Sequence, residues 1–274
     1  MNAAMPSPAT RAERTYNAAA DHYCAEPLAF WDRYGRSTVA RLGLRRGAHV
    51  LDVCCGAGAS ALAAGQAVGP LGRVLAVDLA ERLLDLGRAR ARDARLPWVE
   101  FQRRDMTALF LPDASFDAVV CVFGIFFAPD LARQVADLWR LVRPGGQLAV
   151  TTWGPRMFAP GYDVWSEVVR GLRPDLVANF NPWDRLTTQD AIRELFLRAG
   201  VGAVEVEAEA GHQPLRRADE FWSIALGSGL RWAIDELGPA LAHDVRREVV
   251  SRLAARALDR IETNVLYAVA RRPG

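Results

Sequence analysis

Three aspartates at the ends of predicted strands have the spacing expected for recognition of a nucleoside. Asp52 and Asp78 end hydrophobic runs, and Asp105 follows a third. Between the first two lie Gly56 and Gly58, where the absence of a Cβ lets the backbone turn sharply and approach a ligand. Asp78 stands 22 residues after Gly56, so its carboxylate can accept hydrogen bonds from both hydroxyls of a ribose. An adenosine-containing cofactor follows from this pair.

The same segment also fits a dinucleotide, which leaves two cofactors in competition. Gly56, Gly58 and Ala61 satisfy the loose fingerprint G-x-G-x-x-(G or A) of NAD-binding proteins. Asp52 comes just before this loop, and we expect its carboxylate to face the central linkage of the ligand. A pyrophosphate there would meet like charge, whereas a sulfonium or ammonium group would be attracted. The residues therefore favour a cationic adenosyl ligand, with an NAD-dependent oxidoreductase as the alternative.

Five short motifs, in order, carry a resemblance to a known family. The run LDVCCGAG at 51–58 resembles the first motif of class I S-adenosylmethionine-dependent methyltransferases, and Val77-Asp78 resembles their acidic ribose-binding motif. Three later motifs are matched by RDM at 104–106, FDAV at 116–119 and LVRPGG at 141–146. The nearest similarity is to the methyltransferase type 11 group, which is similar to ubiquinone and menaquinone biosynthesis methyltransferases. The resemblance weakens after Trp153.

The resemblance implies S-adenosylmethionine as cofactor and a role for each matching residue. It implies that Asp52 orients the methionine amino group, directly or through water, and that Asp78 holds the ribose hydroxyls. Around the adenine, Leu79 would pack on the ring, Asp105 would accept from the exocyclic amine, and the Met106 amide would serve a ring nitrogen. The remaining implied contacts are the main chain of Cys54, Gly56 and Gly58 beneath methionine and ribose, and the backbone or thiol edge of Cys121.

The cysteines are interpreted as structural. The family usually has glycine where this chain has Cys54, and we interpret Cys54 and Cys55 as small buried residues beneath the loop. None of the four cysteines forms a C-x-x-C pair, so the sequence predicts no metal site. Reduced thiols and the lack of an apolar N-terminal leader indicate a cytoplasmic protein.

A catalytic base is not required by the expected chemistry. Methyl transfer from a sulfonium is an in-line displacement, which an enzyme can accelerate by holding the reacting atoms in line. Among the four histidines, His22 is the best candidate base because it lies in an N-terminal helical segment, residues 11–43, that can cover the site. Tyr16 and Tyr23 share this segment, where they either hydrogen-bond the cofactor's carboxylate or pack as helix aromatics. Tyr23 is included among the cofactor-binding candidates.

Alternation of β-branched runs with helical patterns predicts an α/β fold. We expect a Rossmann-like, seven-stranded, mostly parallel sheet with an antiparallel edge and helices on both faces. The expected strands are 48–54, 73–78, 98–104, 116–123, 147–153, 201–210 and 263–270. One domain, 1–274, would comprise a helical preface at 11–43, a cofactor-binding core at 48–153, and lid or substrate insertions at 154–186 and 212–260.

Composition limits the partners. The 34 basic residues nearly cancel the 32 acidic ones and are interleaved with them, which argues against nucleic acid. No lysine occurs, so Schiff-base and Walker-type lysine chemistry are excluded. The longest uncharged apolar run, 118–128, is too short for a membrane span. The resemblance then implies methyl transfer to a small molecule; a non-catalytic S-adenosylmethionine-binding protein is a further alternative.

The acceptor is indicated only by a cluster of phenylalanines. Phe123, Phe126 and Phe127 follow the fourth predicted strand, at the end of the sheet where the methyl group would be transferred. They either line a pocket for an apolar or aromatic acceptor or belong to the core beneath the lid. An oxygen, carbon or nitrogen acceptor atom is equally compatible with the sequence.

Overall fold

A computed structural model describes residues 8–177 and 181–274. The predicted insertion 154–186 therefore includes three residues outside the described ones. The strands, in chain order, are β1 (His49–Val53), β2 (Arg73–Asp78), β3 (Val99–Arg103), β4 (Phe116–Val122), β5 (Val142–Trp153), β6 (Val204–Glu209), β7 (His212–Pro214), β8 (Arg260–Glu262) and β9 (Val265–Arg271).

Helices precede the sheet and separate most of its strands. They are α1 (Pro8–Tyr23), α2 (Phe30–Leu42), α3 (Ala59–Val68), α4 (Glu81–Asp93), α5 (Leu131–Leu141), α6 (Gly161–Leu172), α7 (Gln189–Arg198), α8 (Glu220–Leu226) and α9 (Arg231–Ala255). Short 3-10 helices occupy Glu26–Leu28, Ile125–Phe127, Pro174–Leu176 and Pro182–Leu186. Within the described residues, no helix has the length and apolar character needed to cross a membrane.

The main sheet confirms the predicted fold class. Across the described part of the chain, seven strands are ordered β3-β2-β1-β4-β5-β9-β6. Neighbours from β3 to β5 run parallel, whereas β9 pairs antiparallel with both β5 and β6. The central position of β4 explains its apolar sequence, because Val119, Val120 and Cys121 are fully buried between covering layers.

Strand β5 begins earlier than the sequence predicts. The R-P-G-G run was expected to separate helix from strand, with the strand starting at Gln147. Instead Val142 already pairs with Phe116, and the register shifts before Ala118 pairs with Gln147. The intervening residues form a bulge in which Gly145 adopts a φ of 77°. The predicted start was wrong because a bulge lets a turn-like sequence remain inside a strand.

A small second sheet was not predicted. Strands β7 and β8 pair antiparallel, with His212 opposite Glu262. The sequence indicates a loop at His212, helices within 212–260 and no further strand before the one expected at 263–270. Three residues are too few for the alternation of apolar and polar side chains to indicate a strand.

The two long helices of the preface, α1 and α2, pack in different places. The sequence left open whether it packs along the sheet or folds over the ligand site. Helix α2 packs on α3, β4 and β5, and Thr38 Oγ1 lies 2.7 Å from Thr151 Oγ1 in the buried interface. Helix α1 instead lies against α4, where Arg82 donates from its guanidinium to the Asn17 carbonyl and from its backbone to the Asn17 side chain, both at 3.0 Å. This second placement brings α1 over the carboxyl ends of the strands.

Candidate functional site

A cavity of about 210 Å³ lies at the carboxyl ends of β1, β2 and β4, beneath α1. In parallel α/β sheets this edge is the usual ligand site. Seven of the residues proposed from the sequence line it: Tyr23, Cys54, Gly56, Asp78, Leu79, Asp105 and Met106. The aspartate and glycine motifs therefore converge on one space.

Asp78 holds together the two loops that form the floor of this cavity. Its Oδ2 accepts a hydrogen bond from the Gly56 backbone N–H, and its Oδ1 accepts from that of Ala80, each at 2.9 Å. Burial raises the pKa of Asp78, while these backbone hydrogen bonds lower it. Each carboxylate oxygen retains a further acceptor site, so Asp78 can bind a ligand hydroxyl without losing its structural role.

The turn after β1 explains why glycine is usual at the position of Cys54. Cys54 has a φ of 58°, in the left-handed region that side chains with a Cβ disfavour. Gly56 follows with a φ of 53°, and a Cβ there would lie 2.8 Å from the Tyr23 hydroxyl. The turn thus accommodates one strained side chain and leaves the backbone bare where Tyr23 approaches.

Three proposed residues do not lie on the cavity wall. Asp52 is only 1% exposed and Cys121 is fully buried. Each lies one residue before the end of its strand, and the last residues of β1 and β4, Val53 and Val122, line the cavity instead. Gly58 approaches the ring of Phe101, which would lie 2.9 Å from a Cβ, so its small size serves packing against β3.

Asp52 forms a buried polar contact behind the loop. Its Oδ2 accepts a hydrogen bond of 2.7 Å from the Ser60 hydroxyl on α3. Its Oδ1 has no hydrogen-bond partner among the described residues. Burial raises the pKa of Asp52 to about 7, and the hydrogen bond from Ser60 opposes this shift.

Aromatic side chains from the preface cover the cavity. Tyr23 stacks on Trp31 with ring centroids 5.3 Å apart, and Tyr16 meets Phe127 edge-on at 5.8 Å. Burial raises the pKa of both tyrosines, so their hydroxyls remain neutral hydrogen-bonding groups. His22 does not line this cavity. It precedes Tyr23 on α1, and one residue along a helix rotates the side chain by about 100°.

Hydrogen bonds order the loop after β3. Asp105 Oδ1 accepts from the Thr107 backbone N–H at 2.8 Å and from its hydroxyl at 2.7 Å. The Met106 carbonyl accepts a 3.0 Å hydrogen bond from Gln134, which is buried on α5. This loop therefore presents Asp105 and Met106 to the cavity in an ordered conformation.

Sequence reasoning missed several residues of this wall, of which one is aromatic and one is acidic. Trp31 and Glu13 line the cavity, and Glu13 forms an ion pair with Arg103. Neither belongs to a motif, and an isolated tryptophan or glutamate in a helical pattern has no local signal of ligand contact. Metal-binding clusters of His, Cys, Asp and Glu are absent from the described part of the chain.

A second cavity, of about 430 Å³, adjoins the first. The two share the side chains of Tyr16 and Phe127, which stand between them. Trp183 and Trp232, both from the predicted insertions, form part of the second wall. Phe126 and Phe127 line it and Phe123 lines the first cavity, yet Phe123 and Phe126 are also over nine-tenths buried. These phenylalanines therefore combine the two expected roles of pocket wall and core.

Comparison with known proteins gives matches to methyltransferases. A family model described as the ubiE/COQ5 methyltransferase family matches residues 28–212. A demethylmenaquinone methyltransferase from Listeria welshimeri is 34% identical over 137 residues, which are 50% of this chain and 56% of that protein. The chain thus spans little more than half the length of this relative.

Solved structures share the fold at low sequence identity. A phosphoethanolamine N-methyltransferase 2 from Haemonchus contortus, in complex with S-adenosyl-L-methionine, superposes with a TM-score of 0.61 at 18% identity. The match covers 99% of this chain and 61% of that one. The cyclase SpnF gives a TM-score of 0.62 at 21% identity, covering 99% of each chain. A fold shared at this identity does not by itself define a reaction.

The left-handed conformation of Cys54 predicts that glycine at this position gives a more stable protein than alanine, which is the reverse of their order inside a helix. A left-handed residue with a Cβ costs roughly 1–2 kcal/mol, so Cys54→Gly should be more stable than Cys54→Ala by roughly 1 kcal/mol. Urea unfolding of both variants measures the difference. Ala89→Gly, inside α4, is the control and should lose about 1 kcal/mol. A Cys54→Gly variant less stable than Cys54→Ala would contradict the assignment of strain.

The buried carboxyl of Asp52 predicts a specific dependence of stability on pH. An unfolded aspartate has a pKa of about 3.9, so between about pH 4 and 7 the folded state holds a proton that the unfolded state has lost. The free energy of unfolding should therefore fall as the pH rises, by up to about 4 kcal/mol from this group. Relative to Asp52→Asn, the parent protein should lose stability across this range.

Unfolding curves of both proteins at pH 4, 5.5 and 8 provide the measurement. Asp190→Asn, which changes an exposed carboxyl on α7, is the matched control. A difference between the parent and Asp52→Asn that does not vary with pH would show that folding does not raise the pKa of Asp52.

Proposed function

The chain belongs to the ubiE/COQ5 methyltransferase family, and from that premise we propose that it binds S-adenosylmethionine in the first cavity and methylates a small apolar or aromatic molecule. The observation that carries the proposal is the anchored carboxylate of Asp78, which faces this cavity beside Gly56. The family match gives no support to the NAD-dependent alternative.

The residues present fit this cofactor in shape and charge. Gly56 and Asp78 both line the cavity, and the Tyr23 hydroxyl approaches the bare backbone at Gly56, where a Cβ would lie only 2.8 Å from it. Glu13, Asp78 and Asp105 line the cavity; Glu13 is paired with Arg103, which leaves the two aspartates against a single arginine of the wall, Arg104. A wall with excess carboxylate favours a sulfonium and an ammonium group and disfavours a pyrophosphate.

We assign the binding roles accordingly. Asp78 accepts from the ribose hydroxyls, Leu79 packs on the adenine, and Asp105 with the Met106 amide binds the adenine edge. Asp52 is behind the wall, so its contact with the methionine amino group runs through a water that its unpartnered Oδ1 can accept from. Tyr23 donates its hydroxyl towards the cofactor's carboxylate.

Positioning is the main contribution of this chain to catalysis. The bound cofactor would supply an activated methyl group. Tyr16 and Phe127 stand between the cofactor cavity and its neighbour, so they define the passage along which donor and acceptor align. His22 is at neither wall, and the structure provides no histidine base on either described wall. In-line orientation is sufficient where the acceptor needs no proton removed.

Cofactor binding is tested by calorimetry with S-adenosylhomocysteine. We expect micromolar affinity and no binding of NAD. Asp78→Ala should weaken the affinity by more than about tenfold, because it removes hydrogen bonds to a charged group worth roughly 1.5–3 kcal/mol each. Asp85→Ala, on the exposed side of α4, is the control and should leave the affinity unchanged.

In the same assay, Asp78→Asn distinguishes the loss of ligand binding from the loss of loop structure. Its amide oxygen can still accept one of the two backbone N–H groups that Asp78 binds. An Asp78→Ala protein that is folded and binds S-adenosylhomocysteine with parental affinity would refute the ribose assignment. Binding of NAD in place of S-adenosylhomocysteine would refute the proposed function.

Turnover is tested by screening small apolar and aromatic metabolites for acceptor-dependent release of S-adenosylhomocysteine from S-adenosylmethionine. We expect release with at least one acceptor, and mass spectrometry of the product would identify the methylated atom. Tight cofactor binding without release for any compound would favour the non-catalytic alternative.

A further inference from the structure

We propose that the second cavity binds an aromatic anion, a planar ring carrying a carboxylate, and that this class of molecule is the methyl acceptor. The acceptor role rests on the proposed function, whereas the binding preference rests on the cavity itself. The observation behind the proposal is a division of charge within two largely apolar walls: most of the charged residues that line the cofactor cavity are carboxylates, and those that line its neighbour are arginines.

The charged wall of the second cavity is positive. Arg11 and Arg185 line it, and no aspartate or glutamate belongs to the wall as far as the chain is described. Asn181 and Thr15 add neutral hydrogen-bonding groups. A cationic amine would meet two guanidinium groups there, whereas a carboxylate would gain charge-assisted hydrogen bonds.

Both guanidinium groups are held in place before any ligand arrives. Arg185 Nη2 donates to the Phe126 carbonyl at 2.7 Å and to the Ala128 carbonyl at 3.4 Å. These carbonyls lie in and just after the 3-10 helix Ile125–Phe127. The Arg11 guanidinium lies over the Trp232 ring, 4.6 Å from its centroid. Arginines fixed in this way lose little side-chain freedom when they bind an anion.

The remainder of the wall fits a flat apolar ring. Five aromatic side chains contribute to it: Tyr16, Phe126, Phe127, Trp183 and Trp232. Trp183 meets Phe126 edge-on, with centroids 6.2 Å apart. Aromatic rings pack on such surfaces in offset or edge-to-face arrangements, which a planar ligand can extend.

The two cavities together would sort the reactants by charge. A cationic donor is attracted to the carboxylates of the first cavity and repelled by the arginines of the second; an anionic acceptor has the opposite preference. Tyr16 and Phe127 line both spaces, so donor and acceptor would approach each other at this pair, each from its own side. The charges thereby suppress binding in the wrong cavity.

Calorimetry with 2-naphthoate and 2-naphthamide tests the preference, because the two probes have similar size and ring system but differ in charge. Titrations use the full-length protein, both alone and saturated with S-adenosylhomocysteine. We expect naphthoate to bind at least about tenfold more tightly than naphthamide, as charge-assisted hydrogen bonds are roughly twice as strong as neutral ones. The advantage should shrink as salt is raised from 0.05 to 0.5 M.

Variants distinguish a ligand contact from a structural role. Arg185→Gln should lower the affinity for naphthoate by about tenfold and leave that for naphthamide within about twofold. Arg246→Gln, at an exposed position on α9 outside both cavities, is the matched control and should change neither affinity. Arg11→Gln provides a second test of the positive wall.

Equal affinities for the two probes, or no binding of either at millimolar concentration, would overturn the proposal. So would an equal loss of both affinities in Arg185→Gln, since Arg185 would then act only by supporting the loop. Charge-selective binding of naphthoate to a protein that does not bind S-adenosylhomocysteine would retain the anion site and refute only its role as the acceptor site.

Discussion

The geometry of the site depends on one carboxylate at the end of β2. Asp78 accepts backbone hydrogen bonds from the loop after β1 and from the residue before α4, so it couples two segments that meet only at the sheet edge. This coupling sets the position of Gly56, against which Tyr23 packs. Tyr23 in turn stacks on Trp31, which belongs to the core. A single buried acceptor thus links the cavity floor to its aromatic cover.

Charge is distributed over the two cavities in a way that the net charge of the chain conceals. The formal net charge is only +2, yet carboxylates collect around the first cavity and arginines around the second. Local fields of this kind act on a ligand because charges a few ångströms away interact strongly where water is partly excluded. The near-neutral composition does not describe the potential that a small ligand meets.

Prediction succeeded where a residue's place along the chain also defines its place in space. Parallel strands bring their carboxyl ends to one edge, so Asp78 and Asp105 were expected at a shared site and lie there. It was less successful for Asp52 and Cys121, whose neighbours Val53 and Val122 face the cavity instead. Where along a buried strand the cavity begins is not encoded in an apolar run, because both faces are covered and the apolar character continues to the end of the strand.

The sequence by itself determined the alternation of strands and helices, the glycine turn after β1, and the places of Asp78 and Asp105 at the ends of successive strands, since each depends on residues close together along the chain. Only the tertiary structure showed that α1 covers this cavity and that Arg11, Phe127, Arg185 and Trp232 share a second one. These residues come from four distant segments. Their meeting is decided by how helices and insertions pack on the sheet, and long-range packing of this kind leaves no local pattern to read.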